Sequence, residues 1–195
     1  MIATRMPNDD HDLMARAVKG DRAAFGALAE RHAPRIARLA YFLLHDFTRA
    51  EDAVQETFAR TLSGLATYRP DLGEPRAWLL AVALNVCRRL LRDERRTSPC
   101  DPRDLEEARR RGAPPRGVVT SVLRRETAAQ VAIAMGHLTE AQREVFVLHN
   151  VEGLPYEEVA RLLGLTTGAA RSLSHRASLV LRDRVPPNIL VARRA

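Results

Sequence analysis

The stretch from Tyr156 to Arg184, YEEVARLLGLTTGAARSLSHRASLVLRDR, decides how the chain is read. Tyr156 to Leu163 has the apolar spacing of a short helix, Gly164-Leu165-Thr166 forms a tight turn, and Thr167 to about Arg184 continues as a second helix. Two helices joined by a short Gly-containing turn make a helix-turn-helix, whose second member fits a major groove. Along that member an apolar line runs through Ala170, Leu173, Ala177 and Leu181, while Arg171, Ser172, His175 and Arg176 share another side. One side is expected to pack and the other to read DNA. From Thr166 to the end, six arginines stand against the single acid Asp183, which adds attraction for phosphate.

Upstream of this unit, Thr139-Glu140-Ala141-Gln142 has the capping-box pattern, in which the Thr hydroxyl and the Gln amide satisfy each other's backbone N–H groups. A helix is predicted from there to about Asn150, broken by Gly153-Leu154-Pro155, and another from about Val122 to Met135. These residues form one unit, over 121–185. Before it lies a polar linker, 97–120, with Pro99, Pro102, Pro114, Pro115, Gly112 and Gly117 and few large apolar residues. A short helix over Asp104 to Arg111 is compatible with it. Residues 186–195 read as a frayed tail.

The first unit, 11–96, carries three helical stripes. Phe25, Leu28, His32, Ile36, Leu39 and Leu43 recur at steps of three and four. A second helix is predicted from about Arg49 to Leu65 with Val54, Phe58, Leu62 and Leu65 inward, and Glu51, Asp52, Gln55 and Glu56 outward. That acidic outer face repels phosphate and suits a basic protein partner. A third helix starts at Pro75 and runs to about Arg95, with Trp78, Leu79, Val82, Val86 and Leu90 inward. Its Asn85, Arg88, Arg89, Arg92 and Arg96 form a polar stripe suited to phosphate contacts and one base-edge hydrogen bond. No stretch alternates like a strand, so the class is all-α: two small helical domains joined by a flexible linker.

Composition agrees with this division of labour. The 195 residues are 46% hydrophobic and 28% charged, which excludes a disordered chain. Lys and Arg number 31 against 24 Asp and Glu, a net charge of +7 that favours a polyanionic partner. All but one of the basic residues, Lys19, are arginine, the better bidentate phosphate ligand. The longest apolar run, Ala77 to Leu84, is far short of the roughly 20 residues of a membrane span. Asp9, Asp10 and Asp12 stand where a signal peptide would be apolar, so a cytoplasmic protein without a membrane span is expected. Cys87 and Cys100 lack any CxxC or Cys/His pairing, and no Gly-rich phosphate loop, HExxH or GxSxG occurs. No metal, cofactor or enzymatic activity is expected.

Several separated motifs, in order, carry a resemblance. Asp46-Phe47-Thr48-Arg49-Ala50-Glu51-Asp52-Ala53-Val54-Gln55-Glu56-Thr57-Phe58, then Trp78 to Asn85 with the arginines after it, then Leu138 to Arg143, Tyr156 to Ala160, and His175-Arg176-Ala177 resemble the sigma-70 family. Within it they are most similar to the small two-domain extracytoplasmic-function (ECF) group, over residues 11–96 and 121–184. The resemblance implies a sigma factor that gives RNA polymerase its promoter specificity. It assigns core-polymerase docking to Asp52, Gln55, Glu56 and Phe58. Minus-10 opening and capture fall to the loop from Thr67 to Glu74 with Trp78, Asn85, Arg88, Arg89 and Arg92, and minus-35 reading to Arg171, Ser172, His175 and Arg176. Core RNA polymerase and promoter DNA are the implied partners. An anti-sigma factor is common in the group, though no residue here identifies one. Where the family pattern often reads Gly-Thr-Val-Lys-Ser-Arg-Leu-x-Arg-Ala, this chain has Ala169 for the Thr, Leu173 for the Arg and Ser174 for the Leu. The alternative class, a free-standing helix-turn-helix repressor or activator, has no use for the acidic face and should hold duplex DNA tightly by itself.

Overall fold

The computed structural model describes residues 9–97, 130–182 and 184–185. Every regular element among them is helical, as the sequence pattern requires. The linker and its Asp104–Arg111 helix, Cys100, the start of the helix expected from Val122, and the tail lie outside the described residues.

Short acidic caps punctuate the first unit. Helix α1, Asp10–Val18, is capped by Asp9, whose carboxylate accepts from Asp12 N–H at 2.7 Å. Helix α2, Arg22–Leu44, starts at Asp21, which accepts from the N–H groups of Ala23 and Ala24, both at 3.0 Å. The Arg16 guanidinium bonds the same Asp21, and these donors hold its carboxyl below the ordinary carboxylate range. Helix α2 ends on His45 in the left-handed region, φ 56°, with its N–H returned to Tyr41 O. Asp46 then caps α3, Phe47–Gly64, through Arg49 N–H at 2.8 Å. Two single 3-10 turns, Leu65–Thr67 and Pro70–Leu72, lead to α4, Pro75–Thr97, with Pro75 in its first position as predicted.

The α2 stripe is buried as predicted at Leu28, His32, Ile36, Leu39 and Leu43, with Phe25 half-buried. On α3 the predicted Leu65 is buried, but the rest of the inward face is turned from the predicted one. Ala50, Ala53, Thr57 and Thr61 are buried, Val54 and Phe58 only partly, and Leu62 is 53% exposed. The contact with α2 selects small residues, because close helix approach leaves no room for Leu or Phe at the centre. On α4 the predicted Leu79 and Val86 are buried. The interior also takes Ala77, Leu80, Ala83, Leu84 and Cys87, whereas Trp78, Val82 and Leu90 are half-buried. This helix is wrapped on more than one side, so a single stripe understates its interior.

The second unit begins with α5, residues 130–135, and α6, Glu140–Phe146. The predicted capping box is present, Thr139 Oγ1 accepting from Gln142 N–H and Gln142 Oε1 from Thr139 N–H. The helix continues to Val151 as a π-helical turn, Val147–Val151, closed by Glu152 N–H to Val147 O. Helix α7, Tyr156–Leu163, ends on Gly164 at φ 67°, a conformation suited to glycine. Helix α8, Thr167–Arg182, follows it. On α8 the buried line is Ala170, Ser174, Ala177 and Leu181, so Ser174 stands where Leu173 was expected and Leu173 is half-buried beside it. Steps of three and four admit either residue 173 or residue 174 between Ala170 and Ala177; the packing of α8 turns Ser174 inward and leaves Leu173 at the edge of the face.

One apolar cluster runs through both units, from Ile36, Leu39 and Phe42 of α2 to Val145, Leu148, Val159 and Leu181. Each fully buried Leu contributes about 1.5–3 kcal/mol relative to exposure. A smaller cluster gathers Leu13, Met14, Ala17, Ala24, Leu28, Leu65, Tyr68 and Leu79 around α1.

Candidate nucleic-acid interface

The outer face of α3 is built by what its inner face excludes. Glu51, Asp52 and Gln55 are exposed, as the sequence predicts. Glu56 is half-buried and holds Arg60 at 2.6 Å and Arg89 at 3.1 Å, the former keeping its carboxyl below the usual range. Phe58 is also half-buried, edge-on to Phe25 with ring centroids 6.3 Å apart. Leu62 completes the exposed stripe at three- and four-residue steps from Asp52, Gln55 and Ala59. Sequence reasoning placed it inward because it is apolar; the neighbouring Ala and Thr spacing is the signal that could have placed it outward.

Helix α4 divides its polar residues. Asn85 and Arg92 are exposed, while Arg88 and Arg89 are half-buried and paired. Arg89 meets Glu56 and, at 3.6 Å, Asp93. Arg88 crosses to the second unit and bonds Glu144 through Nε and Nη2, both at 2.6 Å, which raises the guanidinium's already high pKa. The predicted stripe is therefore shared between an exposed part and an ion-paired part. Trp78 packs edge-on to Tyr68, centroids 5.4 Å apart, and Tyr68 Oη donates to Gly73 O at 3.3 Å. Tyr68, which sequence reasoning missed, thereby ties the loop between α3 and α4 to the start of α4. An aromatic in a Pro- and Gly-containing loop was the available signal.

That loop also touches the second unit. Gly73 has φ 148°, and a Cβ there would lie 3.2 Å from Arg161 Nη1 and 3.5 Å from Glu158 Oε1 of α7. Other bridges between the units set arginines of the first against glutamates of the second. Arg38 and Arg35 hold Glu152 at 2.7 and 3.4 Å, and Arg95 holds Glu140 at 3.0 Å. The Glu152 side chain has no exposed surface, so its charge depends on these partners.

On α8 Arg171, Ser172, His175 and Arg176 are all exposed, together on the side opposite the buried line. Thr166 caps the helix, its Oγ1 accepting from Ala169 N–H at 3.1 Å, so the cap does not need the missing Thr at 169. Arg171 bonds Glu157 at 3.3 Å and lies 5.7 Å from the Tyr156 ring centroid. Arg176 Nε donates to Ser172 O at 3.4 Å. Among the described residues no helix is long and apolar enough to cross a membrane, and no group of His, Cys, Asp or Glu is arranged to hold a metal ion.

Comparison with known proteins places both units. Residues 28–97 match the family model for Sigma-70 region 2, and residues 129–179 match that for Sigma-70 region 4. The chain is 32% identical over 168 residues to the ECF RNA polymerase sigma factor SigE of Mycolicibacterium smegmatis, covering 84% of this chain and 63% of that protein. It is 32% identical to RNA polymerase sigma factor CarQ of Myxococcus xanthus, covering 87% and 94%, and 34% identical to CnrH of Cupriavidus metallidurans, covering 88% and 92%. Among solved structures it resembles CnrH in complex with the cytosolic domain of CnrY, with a TM-score of 0.66 and 31% identity over 89% of this chain and 95% of that one. The Bartonella quintana sigma factor RpoE, solved with the anti-sigma factor NepR, shares the fold at a TM-score of 0.62 and 20% identity, covering 87% and 98%.

Proposed function

The chain belongs to the sigma-70 family, in its ECF group, and so directs RNA polymerase to promoters; we propose that its two units divide that work between the surfaces described above. Residues 11–96 take core polymerase on the outer face of α3 and minus-10 DNA along α4 and the loop before it. Residues 121–185 take the minus-35 element with α8, and residues 97–120 connect the two. The observation that carries this reading is the charge of the exposed faces: α3 exposes Glu51, Asp52 and Gln55 in its first half, while α8 exposes Arg171 and Arg176, and α4 exposes Asn85 and then Arg92, Arg95 and Arg96 with Asp93 and Glu94 among them. An acidic surface cannot approach phosphate, so one chain with both surfaces suits a protein that binds a basic protein partner and DNA together.

On α3, Asp52 and Gln55 supply polar contacts to polymerase, and the exposed Leu62 adds the apolar area that a stable interface needs at its centre. Phe58, half-buried, shapes this face from below, and Glu56 is held back by Arg60 and Arg89. On α4, Asn85 offers a donor and an acceptor to one base edge, and Arg92 offers phosphate contact. Trp78 and Tyr68 shape the loop that accepts an unstacked base, a step that costs a few kcal/mol and is offset by such a pocket. Arg88 can offer its Nε–Nη2 edge to a phosphate only by leaving Glu144 of the second unit. Minus-10 binding is thus coupled to loosening of the contact between the units. On α8, Arg171 and Arg176 are placed for guanine edges or phosphate, with Ser172 and His175 between them.

No covalent step belongs to this chain in that scheme: it binds, positions and opens. The chain acts where the polymerase and the chromosome are, in the cytoplasm. An anti-sigma factor is a fitting further partner, since the structural relative RpoE is held by one. The test is promoter-directed initiation: core polymerase with this chain should start transcripts at discrete sites on genomic fragments that core alone does not use. Equal start patterns with and without the chain would refute the reading.

A further inference from the structure

Ser174 is 2% exposed and lies in the buried line of the recognition helix α8, where an apolar side chain would normally pack. Its hydroxyl is not idle. Ser174 Oγ donates to Asn150 Oδ1 at 2.9 Å, and Tyr156 Oη donates to Ser174 Oγ at 3.2 Å. The three residues come from three elements: Asn150 from the π-helical turn, Tyr156 from the first residue of α7, and Ser174 from the middle of α8. The Tyr156 ring is held in turn. It stacks on His149 with centroids 3.7 Å apart and planes at 20°, and His149 Nδ1 donates to Leu154 O at 2.8 Å. Across the same ring lies the Arg171 guanidinium, which also bonds Glu157.

We propose that Asn150, Tyr156 and Ser174 are positioning residues that fix the rotation of α8, and with it the direction of Arg171, so that they determine how sharply the minus-35 element is discriminated. The proposal rests on the reading of α8 as the minus-35 helix. Apolar packing tolerates small rotations, because dispersion contacts are many and undirected. Hydrogen bonds do not: rotating α8 by one residue, about 100°, would carry Ser174 away from both partners and break the bonds of the half-buried Asn150 and Tyr156 groups to it. Only one helix orientation satisfies the chain from Tyr156 to Ser174 to Asn150. In that orientation Ala170, Ala177 and Leu181 also pack inward and Arg171, Ser172, His175 and Arg176 face out. The Tyr156 ring then gives Arg171 a flat surface to lie against, which restricts a long side chain before DNA arrives and lowers the ordering cost of a directed base contact. The small Ser174 gives up packing volume, and the network replaces it with direction.

The experiment selects bound DNA from a pool of promoter-length duplexes randomised across both promoter elements, using holoenzyme assembled from core polymerase and the full chain, and sequences the selected molecules. Variants are Ser174→Ala, Asn150→Ala, Tyr156→Phe and Arg171→Ala. In Ser174→Ala, Asn150→Ala and Tyr156→Phe, base preference in the upstream element should fall roughly tenfold, within the range of one lost directed contact. Helical content and downstream preference should be unchanged. Combining Ser174→Ala with Arg171→Ala should cost little more than Arg171→Ala alone, because both act on one contact. A general loosening of the fold would instead weaken all DNA binding alike. Should Ser174→Ala lose helicity, Tyr156→Phe, which keeps the ring, decides. If these variants keep the wild-type upstream preference while Arg171→Ala loses it, the proposal is overturned and the minus-35 reading stands. If wild type has no upstream preference and Arg171→Ala changes nothing, both are overturned.

Discussion

Arg88 of α4 and Glu144 of α6 form a two-point ion pair, Nε to Oε1 and Nη2 to Oε2, each 2.6 Å, with the Glu144 side chain only 6% exposed. The pair joins the two units at a residue that the family resemblance assigns to minus-10 DNA. Parallel guanidinium–carboxylate bonds are the strong form of this contact, and phosphate offers the same geometry to the same fork. Glu144 thus fills the bidentate edge of the Arg88 guanidinium, the edge that suits a phosphate equally well. Arg38 with Glu152 and Arg95 with Glu140 repeat the arrangement, arginine in the first unit and glutamate in the second.

Removing the arginine should hurt more than removing the charge it meets. Arg88→Ala leaves Glu144 buried without a partner and should cost about 3 kcal/mol of stability, whereas Glu144→Gln keeps a hydrogen-bonding group and should cost under about 1 kcal/mol. Urea unfolding followed through Trp78, the single tryptophan, compares them. Equal losses would mean that the pair is solvated rather than buried.

Acid should weaken the first unit through His32. Burial lowers its pKa from the ordinary value of 6.5, although Asp10 Oδ2, 2.8 Å from Nε2, opposes the shift. The unfolded chain then binds a proton near its ordinary pKa that the folded chain still refuses. Stability is thus full above about pH 6.5, falls as pH drops below it, and levels off below the folded pKa. The urea midpoint should decline as pH falls below about 6.5, and His32→Gln should flatten that decline. A midpoint that rises with acid would show that Asp10 outweighs burial.

Arg176→Ala should weaken initiation at promoters that depend on the upstream element by roughly 1–3 kcal/mol if Arg176 contacts a base. The readout is initiation rate across a set of upstream sequences. A uniform loss on all of them would reassign Arg176 to phosphate.

Asn85 is exposed on α4 and free of the ion pairs that occupy Arg88 and Arg89. Asn85→Ala should impair strand opening more than initial duplex binding. Permanganate reactivity of thymines in the opened region should fall while gel-shift affinity of the holoenzyme for duplex promoter stays near wild type. Full permanganate reactivity in the variant would remove Asn85 from the opening step.

Much of the fold is legible in the sequence itself. Capping chemistry placed the start of α6 at Thr139, and the Gly164 turn placed the helix-turn-helix, because both depend on nearest neighbours along the chain. The exposed sets on α3 and α8 followed from helical period and charge. What failed was the inward face wherever polarity and geometry disagree. Leu62 is apolar yet 53% exposed, and Ser174 is polar yet 2% exposed. Steps of three and four admit more than one face on each of these helices, and the neighbouring helices decide which one packs. Contacts between the units were also illegible, since Arg88 with Glu144 and Arg38 with Glu152 join residues far apart in sequence. Nothing local marks an arginine stripe as partly ion-paired.

The most direct test of the account is co-elution of the purified chain with bacterial core RNA polymerase on size exclusion, with the double variant Asp52→Arg, Gln55→Ala as control. Wild type should travel with the polymerase, and the variant, with unchanged helicity, should elute alone. If neither associates while the chain by itself shifts duplex DNA, the acidic face of α3 is merely solvated and the account is contradicted in favour of a free-standing DNA-binding regulator.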